Sequence, residues 1–203
     1  MIINVRGTSG SGKTHLARSL LSLHPVVKPH FKQRDIDYTT IKGDKRTYSA
    51  RRANPLYYVG ERGNLKSTAF LGHYETPCGG CDTLPDYDCA FHLARELHGL
   101  GHDVVMEGLL LSEERHRSVR LGADLRVVYV DTPLETCLES INERRRARNP
   151  RSKSVDPSNT ARRVGVIERS LAVLESRGVE VFRGDRGEAF NWCVRQLGLQ
   201  SPS

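Results

Sequence analysis

The sequence predicts an α/β three-layer sandwich, in which helices cover both faces of a parallel sheet. Three observations carry this expectation. The run Ile2-Ile3-Asn4-Val5 passes straight into a glycine-rich turn and then into a helix-forming stretch, which is the order strand, loop, helix. From residue 86 onward short apolar runs alternate with helix-length amphipathic ones, the rhythm of parallel strands joined by crossover helices. A length of 203 residues with 37% hydrophobic content suits a single domain spanning residues 1–203 and supplies enough apolar surface for a core.

The elements follow in order. The first strand covers residues 2–6 and the first helix 13–22. Residues 86–100 read as a helix, with Ala90, Leu93, Ala94 and Leu97 on one face and Gly99 and Gly101 closing it. Residues 103–107 and 125–130 are buried strands. In Asp131-Thr132-Pro133-Leu134-Glu135, Thr132 is expected to cap a helix, with Pro133 at its first position and Glu135 completing a capping box. That helix runs to about Arg146. A further helix over 159–177 ends at Gly178, a last strand covers 179–182, and 191–197 form a closing helix. Residues 200–203 are expected to fray. Residues 25–85 break this rhythm. They are rich in turn formers, and two β-prone runs, 56–59 and 66–74, flank a glycine-containing loop, a hairpin signature. The expectation is an inserted β-hairpin subdomain over the C-terminal edge of the sheet, where ligands bind in such folds.

The formal charge of +7 and a pI near 9.3 favour an anionic partner, whether a nucleic acid or a nucleotide. No apolar run approaches bilayer-spanning length, and the N-terminus is spent on a strand rather than a secretion signal. Five cysteines, Cys78, Cys81, Cys89, Cys137 and Cys193, then read as reduced thiols in a cytoplasmic compartment, with no membrane partner expected.

Gly7-Thr8-Ser9-Gly10-Ser11-Gly12-Lys13-Thr14 matches the phosphate-binding P-loop pattern at every defining position and lies between a strand and a helix, as the mechanism requires. Its glycines let backbone N–H groups turn inward around phosphates, and the helix N-terminus adds a favourable dipole. Lys13 is placed to reach the β- and γ-phosphates and Thr14 to offer its hydroxyl to Mg²⁺. A guanine-reading Asn-Lys-x-Asp segment is missing, which argues against a GTPase. The size and the lack of a second signature argue against ABC-type ATPases.

Further candidates surround this loop. Glu107 ends a strand beside Gly108, where a carboxylate can serve the Mg²⁺ shell or orient an acceptor hydroxyl. Asp82 follows Cys78-Gly79-Gly80-Cys81, and the glycine pair permits a tight turn that presents it to a ligand as a general base. Asp35 and Asp37 compete for that role, lying nearer the end of the first helix. Cys78 and Cys81 with His73 and His92 lack a full zinc-ligand pattern and read as a glycine turn flanked by small thiols. Arg144, Arg145, Arg146, Arg148, Arg151 and Lys153 crowd together between the helix begun at Pro133 and the prolines at 150 and 157, so a loop is expected there. In the 25–85 segment Lys28, Lys32, Arg34, Lys42, Lys45, Arg46, Arg51 and Arg52 interleave with Tyr38, Tyr48, Tyr57 and Tyr58. Such a pattern can follow a phosphate backbone while aromatics meet an unstacked base.

The P-loop, the Asp131-Thr132-Pro133 turn and the arginine segment resemble those of the nucleoside and nucleotide kinase-like P-loop NTPase families. The resemblance implies that 144–158 form an arginine-rich lid in which Arg144 and Arg148 steady the transferring phosphoryl group while water is excluded. It also implies that Arg183-Gly184-Asp185-Arg186-Gly187 loops around an adenine base, with Asp185 and Arg144 joining residues 7–14 in holding ATP. Gly72-His73-Tyr74 through Gly79-Gly80-Cys81-Asp82, Val105-Met106-Glu107-Gly108 and the segment 131–148 make the chain most similar to small phage-encoded kinases that phosphorylate 5-hydroxymethyluracil within DNA. This implies an ATP- and Mg²⁺-dependent kinase acting on DNA that contains a modified pyrimidine, a base that must be extruded or unpaired to react. Lys13, Asp82, Glu107, Arg144 and Arg148 would be its catalytic set, with Thr14 and Glu107 at the metal. A kinase of nucleosides, nucleotides or other small alcohols, a polynucleotide 5′-end kinase and a nucleic-acid-stimulated ATPase remain open alternatives.

Overall fold

The computed structural model describes residues 1–63, 65–76, 79–108 and 111–200, with side chains left aside at 111–114. In chain order the elements are β1 (Ile2–Arg6), α1 (Lys13–Ser22), β2 (Val26–His30), β3 (Ile36–Thr39), β4 (Lys45–Tyr48), β5 (Tyr57–Glu61), β6 (Thr68–Leu71), α2 (Tyr87–Gly99), β7 (Asp103–Glu107), α3 (Leu111–Val119), β8 (Leu125–Val130), α4 (Leu134–Arg148), α5 (Pro157–Glu175), β9 (Glu180–Gly184) and α6 (Arg186–Gln196).

Seven strands form the central sheet in the order β2-β5-β6-β7-β1-β8-β9. The strands from β6 to β9 along that order are parallel, whereas β5 runs antiparallel to both β2 and β6. Alternate side chains of the middle strands enter two different cores. Ile2, Leu125, Val127 and Tyr129 join α2 and α5 on one face. Ile3, Val5, Val128 and Val130 join α1 and α6 on the other. Burial on both faces is why these strands read as unbroken apolar runs.

The parallel register fixes the site. β1 lies between β7 and β8, with Val5 opposite both Glu107 and Val128. The loop after β1, the acid ending β7 and the turn after β8 therefore emerge side by side at the carboxyl ends of the strands, where α/β sheets bind ligands.

Several expectations are corrected. The hairpin β5–β6 forms, but it extends the central sheet through β6 pairing with β7 rather than lying over the sheet edge. Its residues Ala69, Phe70 and Leu71 are fully buried, and an overlying hairpin would leave one of their faces in water. Among the described residues only the separate β3–β4 hairpin stands outside the sheet, packed on α2 through Tyr38, whose hydroxyl donates to Asp86 at 2.7 Å. Thr132 does not cap α4. Pro133 holds the cap position, and the Thr132 hydroxyl instead donates to the Ser11 carbonyl at 3.1 Å, tying this turn to the phosphate loop. The last strand reaches Gly184, and α6 begins at Arg186 rather than at 191, because Asp185 and Glu188 form a reciprocal capping box. No helix among the described residues is long and apolar enough to cross a membrane.

Loss of that cap separates a structural role of Asp185 from a nucleotide-binding one. Asp185→Ala is expected to cost about 1 kcal/mol and to lower the melting midpoint of the nucleotide-free protein by about 2–4 °C. Calorimetry checks this, and an unchanged midpoint would show that the cap contributes nothing.

Candidate nucleotide and acceptor site

The glycine loop turns tightly enough to start α1 at Lys13 because Gly10 and Gly12 adopt φ of +83° and +90°, a region open to glycine without strain. A Cβ on Gly10 would also overlap the Cys137 carbonyl of α4. Residues from Ser9 to Thr14 line a cavity of about 790 Å³, and Gly7 and Thr8 are outside that lining. The Lys13 ammonium donates to the Thr8 carbonyl at 2.8 Å, closing over its own loop. Burial lowers its pKa, while the nearby Glu107 and Asp82 charges act in the opposite direction.

Glu107 is almost fully buried at 1% exposure and accepts a 3.0 Å hydrogen bond from the Thr14 hydroxyl. Burial raises its pKa to about 7, against the pull of Lys13 and Thr14. Asp82 lies recessed but open to solvent through the cavity, and its pKa is raised chiefly by desolvation, with Lys13 and Arg6 opposing. The two acids interlock. A Cβ on Gly80, at φ +65°, would sit 2.6 Å from a Glu107 carboxylate oxygen, and one on Gly108 would sit 3.0 Å from the Asp82 carboxyl carbon. The glycine turn expected before Asp82 forms at Gly80, and Asp82 borders the cavity. Asp35 and Asp37 are elsewhere: Asp35 pairs with Lys32 at 3.0 Å, Asp37 accepts from the Thr47 hydroxyl at 2.7 Å, and neither lines the phosphate cavity.

On α4, Thr136, Ser140 and Arg144 follow one another at four-residue steps along the cavity wall. Arg148, one turn on, lies outside that lining. These arginines belong to the helix itself rather than to the expected loop, which is confined to 149–156 between α4 and the cap of α5. Pro157 opens α5 instead of merely ending what precedes it. The expected adenine loop at 183–187 is likewise a strand end followed by a helix start. Asp185, Arg186 and Gly187 still line the cavity, and Arg186 lies against Gly12, with its Cδ 3.1 Å from where a Cβ would be.

Arg18, which the sequence reading passed over, pins the turn segment to α1. Its guanidinium donates to the Tyr74 carbonyl at 2.8 Å and to the Thr76 carbonyl at 2.6 Å. Its spacing of four from Thr14 was the available signal, since it places both on one helical face. Much of the basic 25–85 segment is committed internally. Lys28 pairs with Glu61 at 2.8 Å, Arg34 with Glu96 at 3.6 Å and Arg46 with Asp86 at 3.1 Å, and Arg52 donates to the Thr83 carbonyl at 2.6 Å. Tyr38 and Tyr58 are buried, so neither is placed to stack on an extruded base. Cys78 lies outside the described residues. His73 faces Glu75 at 3.2 Å and His92 faces Glu96 at 3.7 Å, each with its own carboxylate. A second basic feature had no sequence warning. A groove of about 480 Å³ brings Arg115, His116 and Arg120 from α3 and its C-terminal turn against Arg177, following α5, with no acidic residue in its lining.

The Glu107 shift fixes a pH dependence. Its folded pKa of about 7 lies above the ordinary 4.5, so the native chain holds this proton over a range where the unfolded chain has lost it. Glu107 therefore lowers the stability of the nucleotide-free protein progressively as pH rises from about 4.5 to about 7, by up to roughly 3 kcal/mol. Denaturation midpoints across that range are expected to fall less steeply in Glu107→Gln, which keeps an acceptor for Thr14. Equal slopes in the two proteins would refute the buried, proton-holding state.

The family model described as an AAA domain matches residues 2–164, a span that includes the phosphate loop, both carboxylates and α4. The 5-hmdU DNA kinase of Pseudomonas phage PaMx11 is 40% identical over 199 residues, covering 97% of this chain and 96% of that protein. A phosphate loop completed by an acid on the neighbouring strand, within a match of this extent, means that the chain belongs to the AAA domain family and is a nucleotide-using P-loop kinase.

Proposed function

We propose that the protein transfers the γ-phosphoryl group of ATP, with Mg²⁺, to the hydroxymethyl oxygen of 5-hydroxymethyluracil in DNA. The observation that carries this reading is Asp82, a carboxylate that opens onto the phosphate cavity and accepts no hydrogen bond from any other described residue. The near full-length similarity to a 5-hmdU DNA kinase supplies the acceptor class.

The residues present suit a Mg²⁺–nucleotide. The backbone cradle after β1 offers N–H donors to phosphate oxygens, and Thr14 with Glu107 offers hard oxygen ligands 3.0 Å apart. Magnesium, when bound there, would neutralise charge on the β- and γ-phosphates. Lys13 exchanges its Thr8 partner for phosphate oxygens. Asp82 takes the proton of the acceptor alcohol as its oxygen forms the new bond to phosphorus and the bond to the β-phosphate oxygen breaks, leaving ADP. The raised pKa of Asp82 makes it a stronger base than an ordinary aspartate. Arg144 faces the same space and meets charge that spreads over the equatorial oxygens. Segment 144–158 acts as the lid and Asp185 as part of the nucleotide wall. Within one domain, residues 25–85 shape the acceptor side, and the enzyme works in the host cytoplasm of a phage infection.

A polymeric acceptor is supported by the α3–α5 groove. Arg115, His116, Arg120 and Arg177 form no ion pair among the described residues and face no acid within the groove lining. Such a strip is suited to a sugar–phosphate backbone, whereas a mononucleotide has no use for it.

Labelled ATP offered with hydroxymethyluracil-containing DNA, unmodified DNA, 5′-hydroxyl oligonucleotides and free nucleotides should place label on the modified DNA alone. Label confined to free nucleotides would falsify the acceptor, and phosphate release without a labelled acceptor would mark an ATPase. Lys13→Ala should reduce transfer by at least about a hundredfold while DNA binding survives; undiminished transfer would remove the role given to Lys13. The groove has its own test. Replacing Arg120 and Arg177 together with Gln should flatten the slope of log affinity against log salt by about 1.8. An unchanged slope would place the backbone contacts elsewhere.

A further inference from the structure

Asp82 belongs to two cavities. On one side it borders the phosphate cavity of about 790 Å³, beside Lys13, Thr14 and Glu107. On the other it opens a second hollow of about 410 Å³, walled by Cys81, Leu84, Pro85, Asp86 and Tyr87, and no other described residue lines both. The chemistry changes across this side chain. The phosphate side carries lysine, arginine and backbone amides, whereas the second side is a leucine, a proline, a cysteine and an aromatic ring.

The polar groups of the second hollow are nearly all committed. One Asp86 oxygen caps α2 by accepting from the Cys89 N–H at 2.8 Å, and the other accepts from the Tyr38 hydroxyl at 2.7 Å and from Arg46 at 3.1 Å. Cys81 is buried, and burial pushes its thiol well above the ordinary range. Asp82 is thus the one carboxylate there that accepts no hydrogen bond from the other described residues. The Tyr87 ring is held in place by a cation. The Arg117 guanidinium lies 5.8 Å from its centroid and is itself fixed by a two-pronged pair with Asp88 at 2.7 and 2.8 Å. A ring anchored in this way loses little side-chain entropy when something stacks on it.

We infer that this hollow is the subsite for the acceptor base: an extruded pyrimidine lies against Leu84, Pro85 and Tyr87 with the oxygen of its 5-substituent at Asp82. The inference rests on Asp82 as the acceptor-side base and adds where the rest of the acceptor lies and what reads it. An apolar wall with one aromatic ring favours the flat face of a base over a sugar or a chain terminus, because base–aromatic stacking operates on any π-face. The carboxylate then selects among bases by requiring an alcohol at the position that reaches it. Thymine, with a methyl group there, would leave Asp82 buried under the base without a donor, and an unpaired charge of that kind is costly.

Two experiments on the full-length protein test this. In the first, Tyr87→Leu should raise KM for hydroxymethyluracil-containing DNA by roughly tenfold and leave KM for ATP within twofold of wild type, while Tyr87→Phe stays close to wild type in both. A merely structural role for Tyr87 would instead move the melting temperature and both KM values together, and that result would overturn the subsite. In the second, DNA with 5-iodouracil at the target position is irradiated on the wild-type enzyme and the adduct is mapped by mass spectrometry. Attachment within the peptide carrying residues 84–87 supports the inference. Attachment solely in the separate cavity that contains His30, Phe31 and Tyr57 would overturn it and leave the kinase assignment standing. Failure of the wild-type enzyme to label modified DNA at all would remove the acceptor reading and the subsite with it.

Discussion

The turn carrying Asp82 and the end of β7 carrying Glu107 approach one another only because Gly80 and Gly108 leave room where any other residue would place a carbon. That contact sets two carboxylates beside one ammonium at the carboxyl ends of parallel strands. Burial then acts on each in the direction that favours its neutral form: up for Asp82 and Glu107, down for Lys13. Mutual attraction opposes this and limits it. On the proposed reading a nucleotide with its cation would alter the balance, since phosphate oxygens would stabilise the charged lysine and a divalent ion the charged glutamate, relieving the cost of assembling the site in advance.

How this arrangement is anchored explains which parts were legible in the sequence. Residues 2–22 and the strands at 103–107 and 125–130 were read with correct bounds because each depends on local pattern alone, apolar runs followed by glycine or a helix signature. The hairpin at 57–71 was also found, but its partner was not. Pairing of β6 with β7 is a contact between segments separated by α2, and no spacing rule announces it. The Thr132 hydroxyl fails for the same reason. Its local context suits a helix cap, yet the hydroxyl donates its hydrogen bond to a carbonyl of the phosphate loop more than a hundred residues earlier. The Asp185 box was overlooked because Gly-Asp-Arg-Gly was read as a turn, although Glu188 stood at the capping-box position.

Charge was the least legible feature. A run of lysines and arginines in 25–85 suggests a surface for anions, but Lys28, Arg34 and Arg46 meet glutamates and an aspartate supplied by β5, α2 and the α2 cap. A further cationic groove had no signal in the sequence, because Arg115, Arg120 and Arg177 become neighbours only when α3 packs against α5. Net charge therefore carried no information on where cations would gather, which tertiary packing decides. The candidate bases obey the same logic. Asp35, Asp37 and Asp82 competed in the sequence, and of the three the fold brings Asp82 to the phosphate cavity, just after the strand bridge between His73 and Gly80.

A kinase must also keep water from doing the acceptor's work, and the position of Asp82 between two cavities bears on that. On the proposed reading, a base lying against Leu84, Pro85 and Tyr87 would displace solvent from the carboxylate in the same movement that delivers an alcohol to it. The acceptor's own apolar surface would then exclude water on that side. The division follows from the linings themselves. Amides, lysine and arginine are suited to oxygen anions, while leucine, proline and tyrosine are suited to the face of a ring. The shared carboxylate stands where the two linings meet, placed on the proposed reading to take the alcohol's proton while the phosphoryl group passes directly to the alcohol oxygen.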